Sequence, residues 1–204
     1  MIIRAAKVMR LDSLWAIDHW LDFPPMGIWD EDFSWAAKAG SSPHEFFSWT
    51  PLLGWAAGRA GKIQLAVGVT DPLRHHPVKL AQDALTLAHV ARRPPILGIG
   101  AGEAENLIPY GINFDTPVAR LEEALQIIRM CFDSRGPFDF DGEHFQLDGA
   151  MMDLGTPPDR TPEVWVAAHG PRMLRLTGRY GDGWYPAIPM PPDQYASSLA
   201  TIRE

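Results

Sequence analysis

Five short apolar runs recur along the 204 residues, and stretches with helical periodicity separate them. The runs are 13–17, 63–69, 96–99, 164–168 and 183–186, each closed by a turn rich in Gly, Pro or polar residues. Short apolar runs bounded by breakers read as strands buried on both faces. Strands that alternate with helices return in the same direction, so the sheet is expected to be parallel with right-handed crossovers. The chemically interesting groups stand where these runs lead into loops, which is the active-site face of a (β/α)8 barrel. The expected fold class is therefore α/β of TIM-barrel type, incomplete, because five strands do not close a barrel and leave open edges.

The helical stretches carry their own signals. Residues 1–10 read as the end of a helix, with Ile2, Ala5, Ala6 and Met9 on one face. A helix is expected over 45–60, with Phe46, Trp49, Leu52, Leu53 and Ala56 on one side. Another is expected over 78–91, with Leu80, Ala84, Leu87, Ala88 and Ala91 inward. The stretch 117–132 has Thr116 as N-cap, Pro117 at the first position, and Leu121, Leu125, Ile128 and Phe132 on one face. Pro171 opens a helix over 171–180, and a last one begins at Pro191. The loop 21–44 is rich in Pro, Gly, acids and aromatics, a composition that suits a packed lid. Residues 133–162 read as an insertion within a single domain over 1–204. Inside it, Phe138 to Leu147 alternates around Asp141-Gly142 as a hairpin does.

Composition narrows the partners. A net charge of −7 disfavours nucleic acid or an anionic membrane as the main partner. The single cysteine, Cys131, excludes a disulfide framework and a Cys-rich metal site. There is no long apolar run for an integral membrane segment, and the first residues lack the apolar core of a signal peptide. A reducing cytoplasm is the default expectation. The eight Trp and nineteen Pro suggest shaped loops around an aromatic-lined cleft.

Three stretches carry candidate chemistry. Ile96 to Asn106 runs from a buried strand through Gly98, Gly100 and Gly102 to Glu103. Glycine there lets a flat ligand or a phosphate approach the main chain, and a carboxylate follows at the strand's end. Taken alone, the stretch is equally a tight strand-to-helix turn with a solvated glutamate. Asp18-His19 closes the first run, and a histidine is the usual proton-transfer group near neutral pH. The plainer alternative is a capping aspartate beside a surface histidine. Asp71, His75 and His76 can be drawn as a metal site, but adjacent histidines rarely converge on one ion, so none is expected. The free N–H groups at the start of the helix after Ala168-His169-Gly170-Pro171 suit a phosphate, with Arg172 beside them.

Four ordered motifs together resemble the bacterial luciferase-like monooxygenase superfamily. They are Leu14 to His19, Val67 to Asp71 with Arg74 to Pro77, Leu97 to Glu103, and Val166 to Pro171 with Gly181 to Trp184. Within it, the chain looks like the branch that uses the deazaflavin coenzyme F420. The likeness is nearest to the phthiodiolone dimycocerosates ketoreductase-like and methylenetetrahydromethanopterin reductase-like members. It covers nearly the whole chain, as strands 2 to 6 of a barrel truncated at both ends. The resemblance implies an F420-dependent oxidoreductase that moves a hydride between the deazaflavin C5 and a carbonyl or similar carbon. His19, Asp18 and Glu103 would be its catalytic residues. Gly68 and Val69 would form a bulge with a non-prolyl cis peptide behind the ring, Thr70 would contact the ring, and Gly102 would flank it. Ala168, His169, Gly170 and Pro171 would hold the phosphate and tail. The partners implied are a small-molecule substrate and a second copy in a homodimer. Where sugar-phosphate dehydrogenases of this superfamily place part of their phosphate pocket, Ala187 to Met190 offers no cation, which points to an apolar substrate. Two other readings stay open. One is an FMN-dependent monooxygenase of the same superfamily. The other is an inactive partial barrel that serves only as a binding or assembly chain.

Overall fold

In the computed structural model, which describes residues 2–157 and 159–204, the apolar runs become one parallel sheet. The connector Thr156 to Pro162 thus lies partly outside the described residues, as does Met1. In chain order the helices are α1 (Ile2–Val8), α2 (Trp35–Lys38), α3 (Trp49–Ala60), α4 (Pro77–Val90), α5 (Pro117–Asp133), α6 (Pro171–Tyr180) and α7 (Pro192–Arg203). The strands are β1 (Ser13–Ala16), β2 (Gln64–Thr70), β3 (Ile96–Ile99), β4 (Phe138–Asp141), β5 (Gln146–Ala150), β6 (Glu163–Ala167) and β7 (Gly183–Tyr185). The sheet runs β1-β2-β3-β6-β7 with every neighbouring pair parallel. This is the five-stranded partial barrel that the sequence suggests.

Strand alternation decides which side holds the core. Leu65, Val67, Leu97, Ile99, Val164 and Val166 point into one buried cluster with the helices. Leu53, Ala57, Leu80, Ala84, Leu121, Leu125, Ile128 and Leu174 supply its other half. At about 25 cal/mol per Å² of apolar surface, each buried Leu or Ile contributes roughly 2 kcal/mol before entropy. On the opposite face, Trp15, Trp165 and Tyr185 gather, with Trp15 centred 5.5 Å from Trp165 and 5.2 Å from Tyr185. Glycines make that possible. A Cβ on Gly68 would stand 2.5 Å from the Trp15 ring, and one on Gly183 would stand 2.6 Å from the Trp165 ring. One on Gly98 would collide with the Val67 carbonyl.

Several local expectations are corrected. Helix α3 starts at Trp49, not at 45, and buries Trp49, Leu53, Ala56, Ala57 and Ala60. Phe46 precedes the helix, and Leu52 falls on the exposed side. The i, i+4, i+7, i+8 stripe selects Leu53 over its neighbour. Thr116 is the residue before α5, but its side chain caps nothing. It sits at φ +49, where the hydroxyl turns instead toward His144, 3.4 Å away. The hairpin β4–β5 does not turn on Asp141-Gly142 alone: residues 142–145 connect its strands. The Glu123 carboxylate on α5 accepts the backbone N–H groups of Glu143, His144 and Phe145 at 2.9–3.0 Å, which fastens the connection to the barrel wall.

Segment 21–44 carries only a short 3-10 turn, Met26–Ile28, and α2. It is tied internally. The Asp22 N–H donates to His44 Nδ1 at 3.0 Å, and the Trp29 indole donates to the Ser41 carbonyl at 2.7 Å. Its apolar side chains are not all packed: Phe23, Met26, Phe33 and Trp35 stay exposed. No helix among the described residues is long and apolar enough to cross a membrane.

Candidate active site

The carboxyl ends of β1, β2, β3 and β6 deliver the candidate groups to one end of the sheet. Asp18 and His19 follow β1, Thr70 ends β2, Gly102 and Glu103 follow β3, and Ala168 to Gly170 follow β6. In a parallel sheet these ends lie on one rim.

Although adjacent in sequence, Asp18 and His19 take different partners. Asp18 is buried at 6% exposure. Its Oδ2 accepts from the Thr70 hydroxyl at 2.7 Å and lies 3.1 Å from His75 Nε2 and 3.4 Å from Arg74 Nη2. Arg74 also donates to the Asp18 carbonyl at 2.6 Å and to Asp71 Oδ2 at 2.6 Å. Asp71 Oδ1 meanwhile accepts the N–H groups of Leu73 and Arg74, both at 2.9 Å. Burial pushes the Asp18 carboxyl upward, but the His75 hydrogen bond, the Arg74 charge and the Thr70 hydroxyl outweigh it and hold the group below its ordinary value. Asp18 is therefore held as a carboxylate whose partners belong to the protein.

His19 is half-buried and opens toward the rim. Its Nε2 lies 3.2 Å from Glu103 Oε2, and its ring meets Phe46 edge-on at 5.5 Å. The Glu103 side chain is 41% exposed, so this pair meets solvent through its carboxylate, whereas the Asp18 carboxylate is buried. Glu103 sits there because Gly102 adopts φ +84. A Cβ on Gly102 would crowd Leu107 and Leu73 at 3.1 Å, so conformation and space both require glycine.

The remaining residues lie around these two groups. The Gly68–Val69 peptide is cis, and the β2–β3 register shifts between Val67 and Thr70. The open side of Gly68 is taken by Trp15. A Cβ on Gly100 would touch Val69 at 3.3 Å and Ala167 at 3.5 Å, so small groups line this part of the rim. Ala168 is buried, and its carbonyl accepts from the Trp184 indole at 2.9 Å. His169, Gly170 and Pro171 are exposed. Gly170 precedes α6 with no side-chain cap, and space is open around its Cα. Arg172 pairs with Glu122 at 3.0 Å, so its charge is already engaged beside the helix start. Among the described residues, no cluster of three or more His, Cys, Asp or Glu side chains could hold a metal.

Sequence reasoning named Asp71 and Arg74 within motifs but gave them no part in fixing Asp18. It also gave no role to Asn106, which is 1% exposed beneath the His19–Glu103 pair. The available signal was its spacing, three residues after Glu103 on the turn Ala104–Asn106.

The family model for the luciferase-like monooxygenases matches residues 2–204. The phthiodiolone/phenolphthiodiolone dimycocerosates ketoreductase of Mycobacterium tuberculosis (strain ATCC 25618 / H37Rv) is 42% identical over 202 residues, covering 98% of this chain and 53% of the relative. The F420-dependent glucose-6-phosphate dehydrogenase of Kineococcus radiotolerans is 33% identical, covering 95% and 53% respectively. A solved F420-dependent secondary alcohol dehydrogenase, in complex with an F420-acetone adduct, superposes with a TM-score of 0.74 at 26% identity. That alignment covers 99% of this chain and 59% of the dehydrogenase. The chain thus spans about half the length of the curated relatives it matches.

Proposed function

This chain belongs to the luciferase-like monooxygenase family, and from that premise we propose that it acts as an F420-dependent oxidoreductase on a carbonyl or alcohol carbon of an apolar substrate. The observation that carries the reading is the partly exposed His19–Glu103 pair on the same rim as the open, uncapped start of α6. The names of the relatives, two of which specify F420, support it.

The residues present fit such a coenzyme. Gly100, Ala167 and Gly170 keep the rim free of bulk, and no side chain claims the first N–H groups of α6. Val69 and Gly102, with the Gly68–Val69 peptide, would line the ring, while Thr70, fully buried with its hydroxyl on Asp18, would stand behind it rather than touch it, and Ala168, His169, Gly170 and Pro171 would hold the phosphate and tail. Bound there, F420 supplies hydride chemistry at its C5. His19 would hold the proton that the substrate oxygen gains or loses, and Glu103 would orient its imidazole from Nε2. Asp18 would serve as a positioning group, since it is buried and Thr70, Arg74 and His75 already engage its Oδ2. The absence of a cation from Ala187 to Met190 supports an apolar substrate over a sugar phosphate.

A fluorescence titration of the purified protein with F420, run beside FMN, tests the reading. Saturable quenching by F420 alone is expected. Tight binding of FMN alone would replace the reading with a flavin monooxygenase. A folded sample that binds neither would leave only a binding or assembly role.

A further inference from the structure

The two halves of the His19–Glu103 pair come from different strands, so something must hold the strand ends in register. Asn106 meets both. Its Oδ1 accepts the backbone N–H groups of Trp20 at 2.7 Å and Leu21 at 2.9 Å, the two residues directly after His19. Its Nδ2 donates to Glu103 Oε2 at 3.2 Å, the same oxygen that faces His19 Nε2. The amide orientation follows from these partners: two N–H donors demand the oxygen on one side, and a carboxylate demands the nitrogen on the other. The side chain is 1% exposed, and its own N–H donates to the Glu103 carbonyl at 3.0 Å. A buried amide satisfied on both ends is rigid, because releasing either end leaves polar groups unpaired.

Building on the oxidoreductase reading above, we infer that Asn106 is a positioning residue that clamps the His19 loop to Glu103 and sets the geometry of the proton-transfer pair. It touches neither substrate nor coenzyme in this role. It fixes the main chain that carries His19 through one atom and aims the Glu103 carboxylate through the other. The same two N–H groups belong to the chain that enters segment 21–44, so the clamp also fixes the root of that segment. Around the clamp, Trp20 is braced between the Arg74 guanidinium, 5.3 Å from its ring centre, and Tyr110, 4.6 Å away edge-on.

Two substitutions separate the two functions of the amide. Asn106→Asp keeps an acceptor for Trp20 and Leu21 but removes the donor to Glu103 and sets carboxylate against carboxylate. Asn106→Leu removes both. In the coenzyme-free protein, amide hydrogen exchange at Trp20 and Leu21 should accelerate by at least about tenfold in N106L and stay near wild type in N106D, with β2 and β3 unchanged. With reduced F420 as hydride donor and an aliphatic ketone as acceptor, both variants should lose about tenfold or more in kcat, while the KM for the coenzyme stays within about threefold. Unchanged exchange in N106L, or wild-type kcat in N106D, would overturn the clamp. The exchange measurement needs no coenzyme, so a wild-type protein without F420 turnover would sink the functional reading while exchange alone still decides the clamp.

Discussion

Asp18 and His19 share a peptide bond and a strand end, yet they take different partners and different surroundings. Asp18 is buried, and its Oδ2 is engaged by Thr70, Arg74 and His75, all supplied by β2 and the turn after it. His19 pairs with Glu103 from the end of β3, meets Phe46 edge-on and is partly exposed at the rim. On the proposed function, that difference would separate anchoring from chemistry. A buried ion pair with several hydrogen bonds is costly to break and fixes the backbone. A partly exposed imidazole beside a carboxylate sits where a ligand can meet it. In the proposed reading the anchor would hold the main chain still while the next residue moves a proton.

The largest expected effect comes from breaking the anchor. Arg74→Met leaves Asp18 and Asp71 as buried carboxylates without their cation, and should lower stability by about 3–5 kcal/mol in urea unfolding. A loss below about 1 kcal/mol would mean that the network is peripheral. On the other side of the comparison, His19→Gln should change unfolding by less than about 1 kcal/mol while slowing turnover about 100-fold, equivalent to about 2.7 kcal/mol of barrier. If it unfolds the protein instead, the division between the two residues fails.

Gly102→Ala probes the hinge that delivers Glu103. Its φ of +84 and the two 3.1 Å contacts predict a loss of about 1–2 kcal/mol, read as a lowered thermal midpoint. The acid limb of stability sharpens the contrast further. The Asp18 carboxyl is held below its ordinary 3.8, so its contribution is fully present above that pH. The contribution is lost as pH falls from there through the lower folded value, because the unfolded chain binds the proton first. Asp18→Asn should therefore flatten the fall of unfolding free energy below pH 3.8, and an unchanged slope would show that Asp18 is not held as proposed. The smallest effect belongs to the rim surface. Arg172→Ala removes an exposed pair with Glu122 and should cost less than about 0.5 kcal/mol.

The parallel sheet was legible because apolar runs such as 63–69 and 96–99 are bounded by breakers and separated by amphipathic helices. The burial stripe of α4 was equally open to reading: Leu80, Ala84, Leu87, Ala88 and Ala91 are all buried. What the sequence hid was partnership. Nothing in Asp18-His19 says that one residue turns to Arg74 and the other to Glu103, because those partners lie 56 and 84 positions away along the chain. Gly98 read as an opening for a ligand, but the space beside it is filled by the Val67 carbonyl. Asn106 was silent because its role lies in hydrogen bonds to Trp20 and Leu21, far off in sequence. Local pattern carries the elements, while long-range hydrogen bonding carries the site.

The most direct test is a single turnover with reduced F420 bound to the protein and an aliphatic ketone added. Oxidation of the coenzyme should depend on the ketone, yield the alcohol and slow about 100-fold in His19→Gln. Oxidation that ignores the ketone and follows dissolved oxygen, or that proceeds equally in His19→Gln, would contradict the account.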